Sequence, residues 1–140
     1  MSLEDNKAMV LRFVAAAWTG STLDVEALDE LVTPNFTDFS APPDLPPGLE
    51  AYKPFVRSWH NSFAGITHKT HHLLAEGDKV VEHWEASGTH VGDFMGIAPT
   101  GKTGGLEGIS TYLIENGKIS KRWGNTDDLG MLRKLGVIPD

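Results

Sequence analysis

The chain reads as an α+β protein, with helices in its first 63 residues and strands from Ile66 onward. Up to Phe63 the apolar residues recur at three- and four-residue spacing, whereas beyond it Thr, Val, His and aromatic residues alternate in short runs separated by turn signals. The pair Asn116-Gly117 adds a hairpin signal, because a type I′ turn needs positive φ at both central residues. Helices first and a strand meander second make a layered α+β arrangement rather than alternating βαβ units.

Residues 2–19 form an amphipathic pattern: Leu3, Val10, Phe13, Val14, Ala17 and Trp18 share a face, Ser2 with Asp5 makes a capping box, and Gly20 stops the helix. A second short helix is expected over 23–32, with Val25, Leu28, Leu31 and Val32 on one side and Pro34 beyond it. Asn35–Ser40 reads as a short extended piece. Pro42, Pro43, Pro46 and Pro47 then fix a loop, since Pro locks φ and removes a donor. A third helix spans 49–63, burying Phe55, Val56, Trp59 and Phe63, with Pro54 in its first turn or at a kink. Four strands follow at 66–75, 79–91, 103–114 and 117–126, and a helix at 128–135 turns Leu129, Leu132 and Leu135 inward before Gly136 ends it.

The 140 residues make one domain, 1–140, long enough to bury a core, and there is no cysteine for disulfide, thiolate or Cys-zinc chemistry. With 12 basic and 19 acidic residues the net charge is −7, which argues against nucleic acid and anionic membranes as partners. The excess lies entirely in residues 1–50, with nine acids and two bases. The acidic start and the lack of a long apolar run give no targeting or spanning segment, so a soluble, cytoplasmic protein is expected.

Three stretches resemble a known family. AEGDKVVEHWEASGTHVGDFMGIAPTGK (75–102), ENGKI (115–119) and WGNTDDLGMLRKLG (123–136) are similar in order and spacing to SnoaL-like polyketide cyclases of the nuclear-transport-factor-two-like superfamily. The resemblance implies a cone of curved antiparallel sheet with three helices around it, an apolar pocket and a homodimer. The family's acid/base aspartate lies four residues after the tryptophan of the last strand, which carries over onto Asp127, following Trp123. Lys121 and Lys134 stand where the family usually has Glu and Gln. The implied reaction is a cofactor-independent intramolecular aldol ring closure of a small apolar or aromatic carbonyl compound.

If 117–127 stays extended, Ile119, Lys121, Trp123, Asn125 and Asp127 share one face, setting the carboxylate beside an indole and an amide. A carboxylate facing an apolar cavity loses hydration and gains proton affinity, as an acid/base group requires. The competing role for Asp127 is capping of the last helix, with Asp128 as the other cap candidate. Among the histidines, His90 in the GTHVG turn is a candidate for bonding a substrate carbonyl. No metal site is expected: no ligand motif appears, and His71 and His72, as strand neighbours, point to opposite faces. Trp84, Tyr112 and Trp123 are candidates for stacking on an aromatic substrate, against core packing, and Asp38 for reaching the cavity, against the surface. The alternatives are a binding or dimerisation module of the same fold, and an isomerase, lyase or hydroxylase-like relative.

Overall fold

The computed structural model describes residues 2–139. Helix α1 (Leu3–Trp18) begins at the expected capping box, in which Asp5 N–H bonds Ser2 Oγ at 3.0 Å and Ser2 N–H bonds Asp5 Oδ2 at 3.1 Å. The second helix is shorter than its apolar pattern suggests. It breaks into 3₁₀ turns at Gly20–Thr22 and Val25–Ala27 and one α turn, α2 (Leu28–Leu31), because the Asp24 side chain caps Ala27 and restarts the chain there. Strand β1 (Val32–Asp38) follows at once, and α3 (Leu49–Ser62) runs uninterrupted through Pro54.

Strands β2 (Phe63–Glu76), β3 (Lys79–His90), β4 (Thr103–Glu115) and β5 (Lys118–Thr126) form the antiparallel meander, and α4 (Asp128–Lys134) closes the chain. Asn116 and Gly117 have φ of 51° and 78°, as the hairpin signal requires. The sheet order is β1-β5-β4-β3-β2, curved and unclosed. It is mixed rather than purely antiparallel, since β1 lies parallel to β5 at one edge. Pro34 is tolerated there because an edge strand leaves one row of N–H groups unpaired. The α+β cone is thus the architecture observed.

The concave face packs on α1 and α3. Val10, Phe13, Leu28, Phe36, Tyr52, Val56, Val80, Tyr112 and Ile119 make the main core, and each such large apolar side chain contributes about 1.5–3 kcal/mol on burial. A second cluster, Phe63, Ile66, Phe94, Met131 and Leu135, seats α4 on the sheet's far end. Here α4 turns Met131 and Leu135 inward and leaves Leu129 exposed, a rotation of the face expected from Leu129, Leu132 and Leu135. Among the described residues no helix is long and apolar enough to cross a membrane.

Two irregularities decide which side chains face the cone. In β3 and β4 the even-numbered residues point inward, with Val80, Glu82, Trp84, Ser110, Tyr112 and Ile114 buried. In β5 the register shifts opposite Leu113/Ile114, so Ile119 and Arg122 are both buried while Lys121 and Trp123 face out. In β2 a second shift falls between Thr70 and His72. A bulge inserts one unpaired residue and re-aims every side chain beyond it.

Candidate active site

The concave face carries a buried polar chain whose hub is Arg122. Its Nη1 donates to Asp38 Oδ2 at 2.9 Å and Ser40 Oγ at 2.8 Å, Nη2 to Ser110 Oγ at 2.9 Å, and Nε to the Tyr112 hydroxyl at 3.2 Å. Tyr52, one helical turn into α3, donates to Asp38 Oδ2 at 2.6 Å, and Ser40 donates to Asp38 Oδ1 through both its N–H and its hydroxyl. Asp38 is therefore not the surface residue its loop-end position suggests; it is 9% exposed and fully bonded. Burial weakens the guanidinium charge, but Tyr112, Asp38 and Tyr52 outweigh it and raise the proton affinity of Arg122 above its ordinary value. Burial pushes Tyr112 up to about 12, and burial with the adjacent Asp38 carboxylate raises Tyr52 further.

From the hub the chain continues along the sheet. Trp84 Nε1 donates to Ser110 Oγ at 2.9 Å, and the His68 ring stacks on Trp84 with centroids 5.2 Å apart. Gly108 makes room for this indole: a Cβ there would sit 2.7 Å from Trp84 Cζ2. His68 Nε2 lies 2.9 Å from Glu82 Oε2, which also accepts the Thr70 hydroxyl at 2.6 Å. Glu82 is 0% exposed, yet its Oε1 and His68 Nδ1 are buried atoms without a hydrogen-bond partner. A buried carboxylate accepting from Nε2–H fixes the imidazole tautomer and leaves the Nδ1 lone pair free. Such a pair is competent to take and return a proton.

The seven residues singled out from the sequence divide between the two faces. Asp38, Trp84 and Tyr112 join the concave chain. His90 lies at its far end, stacked on Phe63 at 5.2 Å, with Nδ1 bonded to Thr100 and Nε2 unpartnered. Trp123 and Asn125 are on the convex side, where with Asp127, His83, Glu107, Ile109 and Thr111 they line an open groove of about 420 Å³. Asp127 is exposed and caps α4, its Oδ1 accepting from Gly130 N–H at 2.9 Å. It lines that open outer groove rather than the helix-covered interior of the cone, because the β5 irregularity turns the face shared by Trp123, Asn125 and Asp127 outward. Asp128, the other cap candidate, instead accepts from the Thr126 hydroxyl.

Arg122, Tyr52, Ser110, Glu82 and His68 as an interior pair were not singled out from the sequence. Glu82 had a readable signal, lying in phase with Val80 and Trp84 on an alternating strand; Arg122 had none, because the bulge before it leaves no mark in residue type. Among the described residues no group of three or more His, Asp or Glu side chains has metal-cage geometry.

The profile of SnoaL-like polyketide cyclases matches residues 8–135. Among solved structures, TsrD from Streptomyces laurentii is 28% identical, with 99% of each chain covered and a TM-score of 0.88. A protein from Acidithiobacillus ferrooxidans assigned as a polyketide cyclase is 27% identical, with 98% of this chain and 99% of that chain covered and a TM-score of 0.80. A Bacillus cereus protein with the same assignment is also 27% identical, covering 99% of this chain and 87% of its own, with a TM-score of 0.79. No curated protein matches the chain. With its profile match spanning nearly the whole length and its cone of helices and curved sheet, the chain belongs to the SnoaL-like polyketide cyclase family.

Proposed function

We propose that this protein is a cofactor-independent cyclase that closes a ring in a small polyketide-like carbonyl compound by intramolecular aldol chemistry, with the Glu82–His68 pair as its acid/base device. The observation that carries this is the pair of buried, unpartnered atoms, His68 Nδ1 and Glu82 Oε1, on the concave face. His68 Nδ1 removes a proton from an activated methylene, and the C–H electrons pass into the enolate. The enolate carbon attacks a second carbonyl carbon, forming the new C–C bond, and the resulting alkoxide recovers the proton from Nδ1. Glu82 stabilises the imidazolium between the two steps. No electron or leaving group is transferred, so the product is an isomer of the substrate.

Arg122 supports the oxyanion. Of its five N–H donors four are engaged, which leaves one Nη2 hydrogen for a substrate oxygen. Trp84, stacked on His68, is the aromatic neighbour of the pair for an aromatic carbonyl substrate, whereas Tyr112 is packed into the core and acts through its hydroxyl on Arg122. Ser40, just ahead of the proline loop, adds a further acceptor for Arg122 Nη1 at 2.8 Å. A homodimer and a cytoplasmic location complete this reading; the exposed, stacked Phe39–Trp123 pair, with centroids 5.4 Å apart, favours association.

A second reading, a binding module on the same fold, is favoured by the fully bonded state of Asp38. The isomerase and lyase readings share the proton abstraction. Incubating the protein with an aromatic β-keto ester in D2O separates catalysis from binding. Accelerated deuterium uptake at the methylene, and ring closure of a diketo ester, are expected; retention of the ester without exchange would establish the binding module instead.

A further inference from the structure

The convex face holds an arrangement that the concave site does not use. The irregularity between Thr70 and His72 pairs Thr70 with Trp84 but His72 with His83, leaving His71 as the extra residue. His71 and His72 consequently crowd the same neighbour, each ring centroid lying 5.2 Å from that of His83, instead of pointing to opposite faces. His72 Nδ1 and His83 Nδ1 are 3.0 Å apart. His83 Nε2 lies 2.8 Å from Glu107 Oε1, and His71 Nε2 lies 3.4 Å from Glu85 Oε1. Glu85 is the direct cross-strand partner of Glu107, and the Asp127 N–H bonds the Glu107 carbonyl, so carboxylates line the row beside the imidazoles.

We propose that His72 Nδ1 and His83 Nδ1 form a two-toothed site for a divalent transition-metal ion, Cu(II) or Ni(II). Two nitrogens 3.0 Å apart, each about 2.0–2.1 Å from one ion, subtend about 90° at it. That is the cis angle of tetragonal coordination, narrower than the tetrahedral angle zinc prefers, and copper heads the affinity order for nitrogen ligands. Glu107 is the outer partner that orients His83: by accepting from Nε2–H it leaves the Nδ1 lone pair aimed at the ion. With only two protein ligands, water completes the shell and the ion stays open to the groove lined by Thr111, Asn125 and Trp123. The hydrogen between the two Nδ1 atoms moves to His72 Nε2, both imidazoles staying neutral, and the ion competes with protons for the two Nδ1 lone pairs. Affinity therefore falls as pH drops. The charged and titratable groups around the pair are His71, Glu85, Glu107, Lys69, which is the cross-strand partner of Glu85, and Asp127, which lines the same groove as His83.

The test uses the full chain without a histidine tag, titrated with Cu(II) and separately with Ni(II) by calorimetry, with electron paramagnetic resonance on the copper sample. One ion per chain and a signal from two imidazole nitrogens are expected. His72→Ala and His83→Ala should each abolish that ion, and Glu107→Gln should weaken it about 10- to 100-fold. All three positions are at the surface, and an unchanged circular dichroism spectrum of each variant keeps the comparison valid. Copper uptake that survives His83→Ala with the same spectrum, or no uptake by the unmodified chain, would overturn the proposal. Neither outcome bears on the concave-face chemistry.

Discussion

Asp38 and Glu82 are both buried carboxylates of the concave face, and their bonding sets them apart. Asp38 accepts from Ser40, Tyr52 and Arg122 on both oxygens, so no acceptor position is left over and it serves as a support for the guanidinium. Glu82 keeps one oxygen free and engages an imidazole. Asp127 has the third kind of environment, solvent on one side and a helix N-terminus on the other. Its replacement by Ala should destabilise the protein by about 1 kcal/mol through loss of the cap, whereas Asp127→Asn, which can still accept from Gly130, should change the melting temperature little. Thermal melts of the two variants check this directly. Residue types were legible where one residue does one job. Ser2, Asn116 and Gly117 act as their chemistry dictates, and Asp127 satisfies the capping role weighed for it.

At the level of elements, the legible part was the sequence of helices and strands, and the illegible part was phase. Alternation in β3 and β4 correctly predicts Trp84 and Tyr112 as inward. In β5 one extra residue exchanges the faces, placing Arg122 inside and Trp123 outside, and in β2 the same device brings His71 and His72 together. The edge strand β1 was legible only in part: Asn35–Ser40 reads as extended, but the strand begins at Val32, within the expected second helix, and its parallel pairing with β5 is a long-range contact that residue types do not mark. The strands' buried charges make sharp predictions. Arg122→Ala leaves the Asp38 carboxylate without its counter-ion and should cost about 3–5 kcal/mol in urea unfolding. Adding Asp38→Asn to that variant should recover a substantial part of the loss. Gly108→Ala places a methyl group against both Trp84 and the Asn125 carbonyl, and should cost about 1–3 kcal/mol.

For the whole molecule, the acidic excess of residues 1–50 is partly neutralised at home. Lys53 on α3 pairs with Glu26, Asp29 and Glu50 at 2.9–3.3 Å, binding the acidic first third to the helix that covers the sheet. The buried tyrosines give the fold its pH signature. Their proton affinity is higher folded than unfolded, so the stabilisation is complete below the unfolded value of 10.0 and is lost as pH rises toward the folded value, about 12 for Tyr112. Unfolding free energy should therefore decline above about pH 10, and Tyr112→Phe should make that decline shallower when denaturation is followed across the alkaline range. In the proposed function, proton transfer occurs on the concave face at His68 and Glu82, with Asp127 a cap. Deuterium exchange at the methylene of an aromatic β-keto ester, measured for His68→Gln, Glu82→Gln and Asp127→Asn beside the unaltered protein, tests it most directly. A fall of about 10²–10⁴-fold in the first two with an unchanged rate in the third is predicted; full exchange in the first two with loss in Asp127→Asn would contradict it.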